Sequence, residues 1–321
     1  MGYLAKFGYD EDYFNELLVS VVDSDSIFEH NLEMKQALLD IISNGGKRIR
    51  PLFLLLAADL GENCCAFDKY MAAVGIELMH ISSLIHDDII DRAKTRRNTQ
   101  TLHVIYDELT ALRLGNYTLH KSLSLLSGIK VSQVHLDLAN TMKQLCIGEF
   151  SQQREEFNFN LSVEDYIEKS FQKTGTLIAT SLRIGGYLAN VDENTLSHLQ
   201  EIGYHIGVAY QLLDDILDFT SDSSTLGKPS GNDLRKGIVT IPTIYALEDD
   251  LLKNEVLMLN FDVSDSHFDR VCDKIKNSDY IQKSHALSQH YTEQAMRYIS
   301  LLPGGQQRFF TLVSAMLQRN H

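Results

Sequence analysis

The feature that most constrains this chain is an apolar-rich run, Ile76 to Ile90, that ends in His86-Asp87-Asp88-Ile89-Ile90-Asp91. Such a run predicts a helix buried on most sides, and a buried helix tolerates clustered like charges poorly. At about 3.6 residues per turn, Asp87 and Asp91 share one face, one turn apart, where two carboxylates repel. Divalent cations between them would remove the repulsion. Oxygen ligands with room for water suit Mg²⁺, which commonly takes one or two carboxylates and fills its shell with phosphate oxygens. Alone, a carboxylate pair at this spacing is more often a solvated face or a cap. A second copy, Asp214-Asp215-Ile216-Leu217-Asp218, stands far downstream in another apolar helical context. Two such motifs facing one another would make a metal-lined cleft for a diphosphate.

The rest of the chain reads as helix almost throughout. Phe14, Leu17, Leu18 and Val21 form one apolar stripe, and Leu32, Met34, Leu38, Leu39, Ile41 and Ile42 suggest another. There are only four prolines, and Pro51 follows a Gly-Gly segment closely, where proline suits the first turn of a helix. No alternating run makes a convincing hairpin, and no linker divides the chain, so one all-α domain over residues 1–321 is expected. No apolar run is long enough to span a bilayer, and no N-terminal signal pattern stands out. Four cysteines include the adjacent pair Cys64-Cys65, with no zinc-like spacing, which reads as a reduced, cytoplasmic protein. A net charge of −14, from 29 basic and 43 acidic residues, argues against nucleic acid as the main partner. Clustered cations beside the aspartates could still reverse the field locally.

Those clusters are present. Gly45-Gly46-Lys47-Arg48-Ile49-Arg50-Pro51 frees the backbone and then places three cations at the start of a helix, which suits a phosphate or, more plainly, a solvated loop. His80 lies two helical turns before Asp87 on roughly the same face; a lone histidine there is usually a satisfied core residue. Lys94, Arg96 and Arg97 follow the first motif in a polar, mobile-looking segment of the kind a diphosphate leaving group needs. Gly148-Glu149-Phe150-Ser151-Gln152-Gln153 and Lys173-Thr174-Gly175 are weak signals singly, and Gln211 shares a face with the second motif. The loop from Thr220 to Asp233 carries Lys228 and leads into Lys236, which suggests a flap that closes over phosphate.

Taken in order, GGKRIRP, ELMHISSLIHDDIID, the Arg96-Arg97 pair, GEFSQQ, KTG, YQLLDDILD and GKPSGNDLRKG resemble the trans-polyprenyl diphosphate synthases through most of the chain. That resemblance implies an all-α isoprenoid synthase bundle around a central apolar cavity, a homodimer, and head-to-tail condensation of isopentenyl diphosphate with an allylic diphosphate. It also implies residue roles. Lys47, Arg50, His80 and Arg97 match the site for isopentenyl diphosphate. Asp87, Asp91 and Asp214 match Mg²⁺ ligands, with three ions expected when diphosphate is bound and with Asp88, Asp215 and Asp218 in support. Arg96, Lys173, Thr174, Gln211, Lys228 and Lys236 match contacts to the allylic diphosphate. Such chemistry needs a stabilised leaving anion and a dry apolar pocket, and no protein nucleophile.

Product length is argued from helix rise. One turn is about 5.4 Å, close to one isoprene unit, so residues upstream of Asp87 act as a ruler. Ser82 and Ser83, one turn up, are too small to stop a C15 chain, where the family's farnesyl enzymes tend to carry aromatics. Met79 could obstruct, whereas Ile76, Gly75 and Ala72 lie beyond it, with space expected at Gly75 and Ala72. A product of about C30 or longer is therefore expected over the C20 alternative. Asn98, Gln100 and Asn116 depart from the common family pattern without touching a metal ligand. Two rival classes are a terpene cyclase, which would not need the GGKRIRP site, and a non-catalytic partner subunit, which should have lost one aspartate motif.

Overall fold

In this computed structural model, the described residues are 2–43, 46–61, 65–97, 99–221 and 230–317. Gly45, Cys64, Asn98, Gly227, Lys228, Pro229 and most of the loop before Asp233 lie outside them. The described chain is all-α apart from one very short strand pair, as expected. It forms two compact units, Met1–Asp137 with Ser181–Leu196, and Leu138–Thr180 with Ser197–His321.

The first unit contains α1 (Tyr3–Lys6), α2 (Glu11–Asp23), α3 (Leu32–Ser43), α4 (Ile49–Ala58), α5 (Ala66–Ile90), α6 (Leu102–Ile105) and α7 (Glu108–Leu126). Asp10 starts α2 by accepting the Tyr13 N–H, and Asp107 caps α7 through the Thr110 N–H. The amphipathic stripes turn inward as expected at Phe14, Leu18, Leu38 and Ile42. In α2, however, Val22 rather than Val21 completes the buried face, and Leu32 at the start of α3 is exposed. Helix α4 carries Pro51 in its first turn and is buried from Pro51 to Ala58, so it is apolar on every side. Helix α5 is buried without interruption from Ala72 to Met79.

Helices α5 and α7 are stitched by two serines. Ser82 Oγ donates to Gly115 O at 2.9 Å, and Ser122 Oγ donates to Gly75 O at 2.6 Å. Beyond α5 comes a short strand pair not expected from sequence. Thr95–Arg96 pair antiparallel with Thr99–Gln100, so the basic segment read as mobile is a small hairpin.

The second unit takes in parts of α8 (Ser132–Arg154), α10 (Thr176–Leu188) and α11 (Glu193–Thr220), and all of α9 (Val163–Ser170). Unit boundaries fall inside those three long helices, not in linkers. A Ser162–Asp165 capping box opens α9, and a π-helical turn, Phe171–Gly175, joins α9 to α10. Such turns often mark functional positions, and this one holds Lys173 and Thr174. Gly175 allows a close backbone crossing: a Cβ added at Gly207 of α11 would lie 2.1 Å from Gly175 Cα. On α11, Val208 and Leu212 pack with Leu161, Tyr166 and Ile241, while Ile216 and Phe219 pack with Val256, Phe268 and Val271. Among the described residues, no helix is long and apolar enough to cross a membrane.

Candidate active site

In the first unit, the candidate residues form paired rungs along one side of α5. Arg50 Nη1 lies 3.1 Å from His80 Nε2. Burial first, and the Arg50 guanidinium next, hold His80 well below the usual histidine range. The ring is therefore neutral, and its Nε2 accepts the Arg50 N–H. One rung away, Arg96 forks onto Asp88: Nε is 2.8 Å from Oδ1 and 2.9 Å from Oδ2, and Nη2 is 2.8 Å from Oδ1. Asp88 is buried, whereas Asp87 is half-buried and Asp91 exposed. The hairpin is thus tied to α5 through Arg96, and Arg97 sits in a left-handed conformation with φ 49°. Exposed Lys47 places Nζ 5.6 Å from the Tyr3 ring centroid.

The positions read as a ruler divide between two sides of α5. Ser82 and Gly75 belong to the seam with α7, and Met79 falls between them on the same helical side. The space expected at Gly75 is filled: a Cβ there would lie 2.8 Å from Leu126 Cγ. Ser83 instead lies on the Asp87 side, half-buried, its hydroxyl returned to His80 O at 2.8 Å within the same helix. Ile76 and Ala72 lie further up that side and are both buried.

In the second unit, Thr174, Gln211 and Asp215 are joined by side-chain hydrogen bonds, and Lys173 is held separately by the GEFSQQ segment. Lys173 Nζ donates to Gln152 Oε1 at 2.8 Å and lies 3.3 Å from Glu149 Oε1, which brings the GEFSQQ and KTG segments together. Thr174 Oγ1 donates to Gln211 Oε1 at 2.7 Å, and Gln211 Nε2 donates to Asp215 Oδ1 at 2.8 Å. Asp215 is buried, with its carboxyl pushed up to about 8 by burial first and then by Asp233. Asp214 and Asp218 are half-buried, and Asp218 Oδ2 accepts the Asp233 N–H at 3.1 Å. Lys236 is exposed just past the short helix Asn232–Arg235.

Two pairings escaped the motif reading. Tyr166 donates its hydroxyl to Asp215 Oδ2 at 2.7 Å, and Arg48 pairs with Glu77 at 2.5 Å. Each joins residues far apart in sequence, and an inward-facing tyrosine on α9 was the only local signal for the first. Replacing Tyr166 with Phe leaves one oxygen of buried Asp215 without its donor. We expect a loss of about 1–3 kcal/mol in urea unfolding. An unchanged unfolding midpoint would show that the hydroxyl does not support Asp215.

Among the described residues, no three His, Cys, Asp or Glu side chains gather into a ready metal cage. Each aspartate motif instead offers a pair of carboxylates at i, i+4: Asp87 with Asp91, and Asp214 with Asp218. This donor set fits Mg²⁺, which keeps several coordination positions for water and phosphate.

The family model for Polyprenyl synthetase matches residues 31–276. The chain is 37% identical over 275 residues to the heptaprenyl diphosphate synthase component 2 of Bacillus subtilis, covering 86% of this chain and 79% of that protein. A crystal structure of heptaprenyl diphosphate synthase from Staphylococcus aureus aligns with a TM-score of 0.90 at 32% identity, over 97% of each chain. The polyprenyl synthase of Caulobacter crescentus, solved with calcium and isoprenyl diphosphate, aligns at 0.88 and 25% identity, over 99% of this chain and 97% of that one. The paired carboxylates and basic rungs, in the order those motifs require, thus stand in a chain that belongs to the polyprenyl synthetase family of trans-prenyltransferases.

Proposed function

We propose that this chain is a Mg²⁺-dependent synthase that joins isopentenyl diphosphate to an allylic prenyl diphosphate, giving an all-trans product of about C30 or longer. The observation that carries the reading is the complete motif set, with both aspartate motifs intact, within the matched span 31–276. A cyclase has no use for the Lys47–Arg50 segment, and a chain that had lost catalysis should have lost aspartates. The long product is supported by small Ser83 beside Asp87 and by the heptaprenyl names of the relatives.

In this reading Asp87, Asp91, Asp214 and Asp218 hold Mg²⁺, three ions when diphosphate is bound, and the metal supplies charge stabilisation for the departing diphosphate. Lys47, Arg50, His80 and Arg97 bind isopentenyl diphosphate. Neutral His80 holds the Arg50 fork in place without adding a charge of its own. Lys173, Thr174, Gln211, Lys228 and Lys236 serve the allylic diphosphate. Arg96 acts there through the hairpin that it ties to Asp88. The whole chain, 1–321, would act as one cytoplasmic polyprenyl synthetase domain.

A homodimer is the simpler assembly. The word "component" in the name of the Bacillus subtilis relative favours a second reading, in which a different protein completes the enzyme. The deciding assay gives the purified chain Mg²⁺, isopentenyl diphosphate and a labelled allylic diphosphate, then separates the dephosphorylated products. Extended all-trans alcohols support the proposal. A cyclic hydrocarbon formed without isopentenyl diphosphate would overturn it, and extension only after adding a partner protein would favour the second reading.

A further inference from the structure

We propose that the buried Arg48–Glu77 pair is a positioning element for isopentenyl diphosphate, holding Arg50 against His80 and turning Lys47 outward. The proposal rests on the reading above, and its test is arranged so that the two can fail separately. Arg48 itself is no phosphate ligand in this arrangement. It is 7% exposed, with Nη1 2.5 Å from Glu77 Oε1 and Nη2 2.5 Å from Ile42 O. Its guanidinium therefore joins the end of α3 to the middle of α5, while its own backbone opens α4.

The backbone there is strained. Arg48 has φ 51° and ψ 37°, a left-handed conformation that costs a residue with a side chain about 1–3 kcal/mol. Tight surroundings must impose it, and the Glu77 bond supplies them. The consequence is register: Lys47 turns outward before Arg48, and Arg50 follows one residue into the helix beside His80. Glu77 lies three residues before His80 on α5, so the Arg48–Glu77 and Arg50–His80 rungs are neighbours on one helix face. From the other side, Gly46 lets the loop approach Arg97; a Cβ at position 46 would lie 2.7 Å from Arg97 Nη2. Arg48, Glu77, His80, Asp88, Arg96 and Arg97 share the wall of one cavity, so members of all three pairs face a common space.

Stability alone does not account for the pair. Well-packed apolar residues of similar volume often replace a buried ion pair with no loss of stability. The test uses that fact. The double variant R48M/E77L removes both charges and keeps the volume; it gives up the bond to Ile42 O as well, so it should melt only modestly below the parent. Its KM for isopentenyl diphosphate should rise about tenfold or more, because small misplacements of binding groups are costly. Its KM for the allylic diphosphate should stay within about twofold, and kcat at saturation likewise. Glu77→Gln, which keeps the shape, should show the same split to a smaller degree and decides the matter if the double variant does not fold. Calorimetric binding of isopentenyl diphosphate alone gives a readout independent of turnover. Parental binding and KM in both variants, or an equal rise in both KM values with a lowered melting temperature, would overturn the proposal. A parent chain that extends no allylic diphosphate, alone or with a partner protein, would instead sink the proposed function.

Discussion

Asp87→Ala should lower kcat by about three orders of magnitude, because charge stabilisation of a leaving group is worth several kcal/mol and about 4 kcal/mol is a thousandfold. The fold should survive. Asp87 is half-buried and one turn from Asp91, so removing it relieves a like-charge pair. The melting temperature should therefore change less than in a variant of buried Asp88. Asp88→Ala is the informative contrast, since Asp88 is buried and accepts the Arg96 fork. Its loss leaves Arg96 without that carboxylate and releases the short strand pair from α5, so stability and activity should fall together. Steady-state kinetics over a Mg²⁺ titration, beside circular dichroism melts, separate the two. Asp87→Ala at more than about a tenth of parental kcat would remove Asp87 from the metal-binding set.

The contrast between Asp87 and Asp88 also marks how far the sequence could be read. Helical class, the burial of the start of the Ile76–Ile90 run and the placing of Pro51 in a first turn all follow from local periodicity and local sterics, and the structure agrees, although Ile90 at the end of the run is exposed. The roles of adjacent aspartates do not follow, because helix spacing says which side a residue faces but not what waits there. Asp88 meets Arg96 only because the polar stretch folds into a hairpin too short to show strand alternation. Arg48 looked like one more cation in a basic loop. Its partner, Glu77, is 29 residues away, and its left-handed backbone has no signature in a non-glycine residue. Tyr166 finds Asp215 across 49 residues. Periodicity carries one-residue information, and these are two-residue facts.

The same limit divides the ruler, and it yields the second large effect. Ser83→Phe should shift the main product from about C30 or longer to about C15–C20, because the new ring stands one 5.4 Å turn from Asp87. Ser83 is the suitable position on structural grounds. Its hydroxyl bonds only its own helix, at His80 O, so its removal breaks no link between helices. Ser82→Phe is the neighbouring control. That side chain is buried and bonds Gly115 O of α7, so a phenyl ring must overpack the seam at about 1–3 kcal/mol. Its expected signature is a lowered melting temperature without a defined shorter product. Reversed-phase chromatography of the dephosphorylated products reads both variants against the parent. If Ser83→Phe left the product distribution unchanged, growth would not run along the Asp87 side of α5. A clean new stop from Ser82→Phe would place the growing chain along the α7 seam instead. If the Ser83 ring does stop growth, the next level of the ruler is Ile76, two turns further up and fully buried, with Ala72 beyond it. Ile76→Ala in the Ser83 parent should then lengthen the product, since it removes bulk from the same side that Ser83→Phe fills.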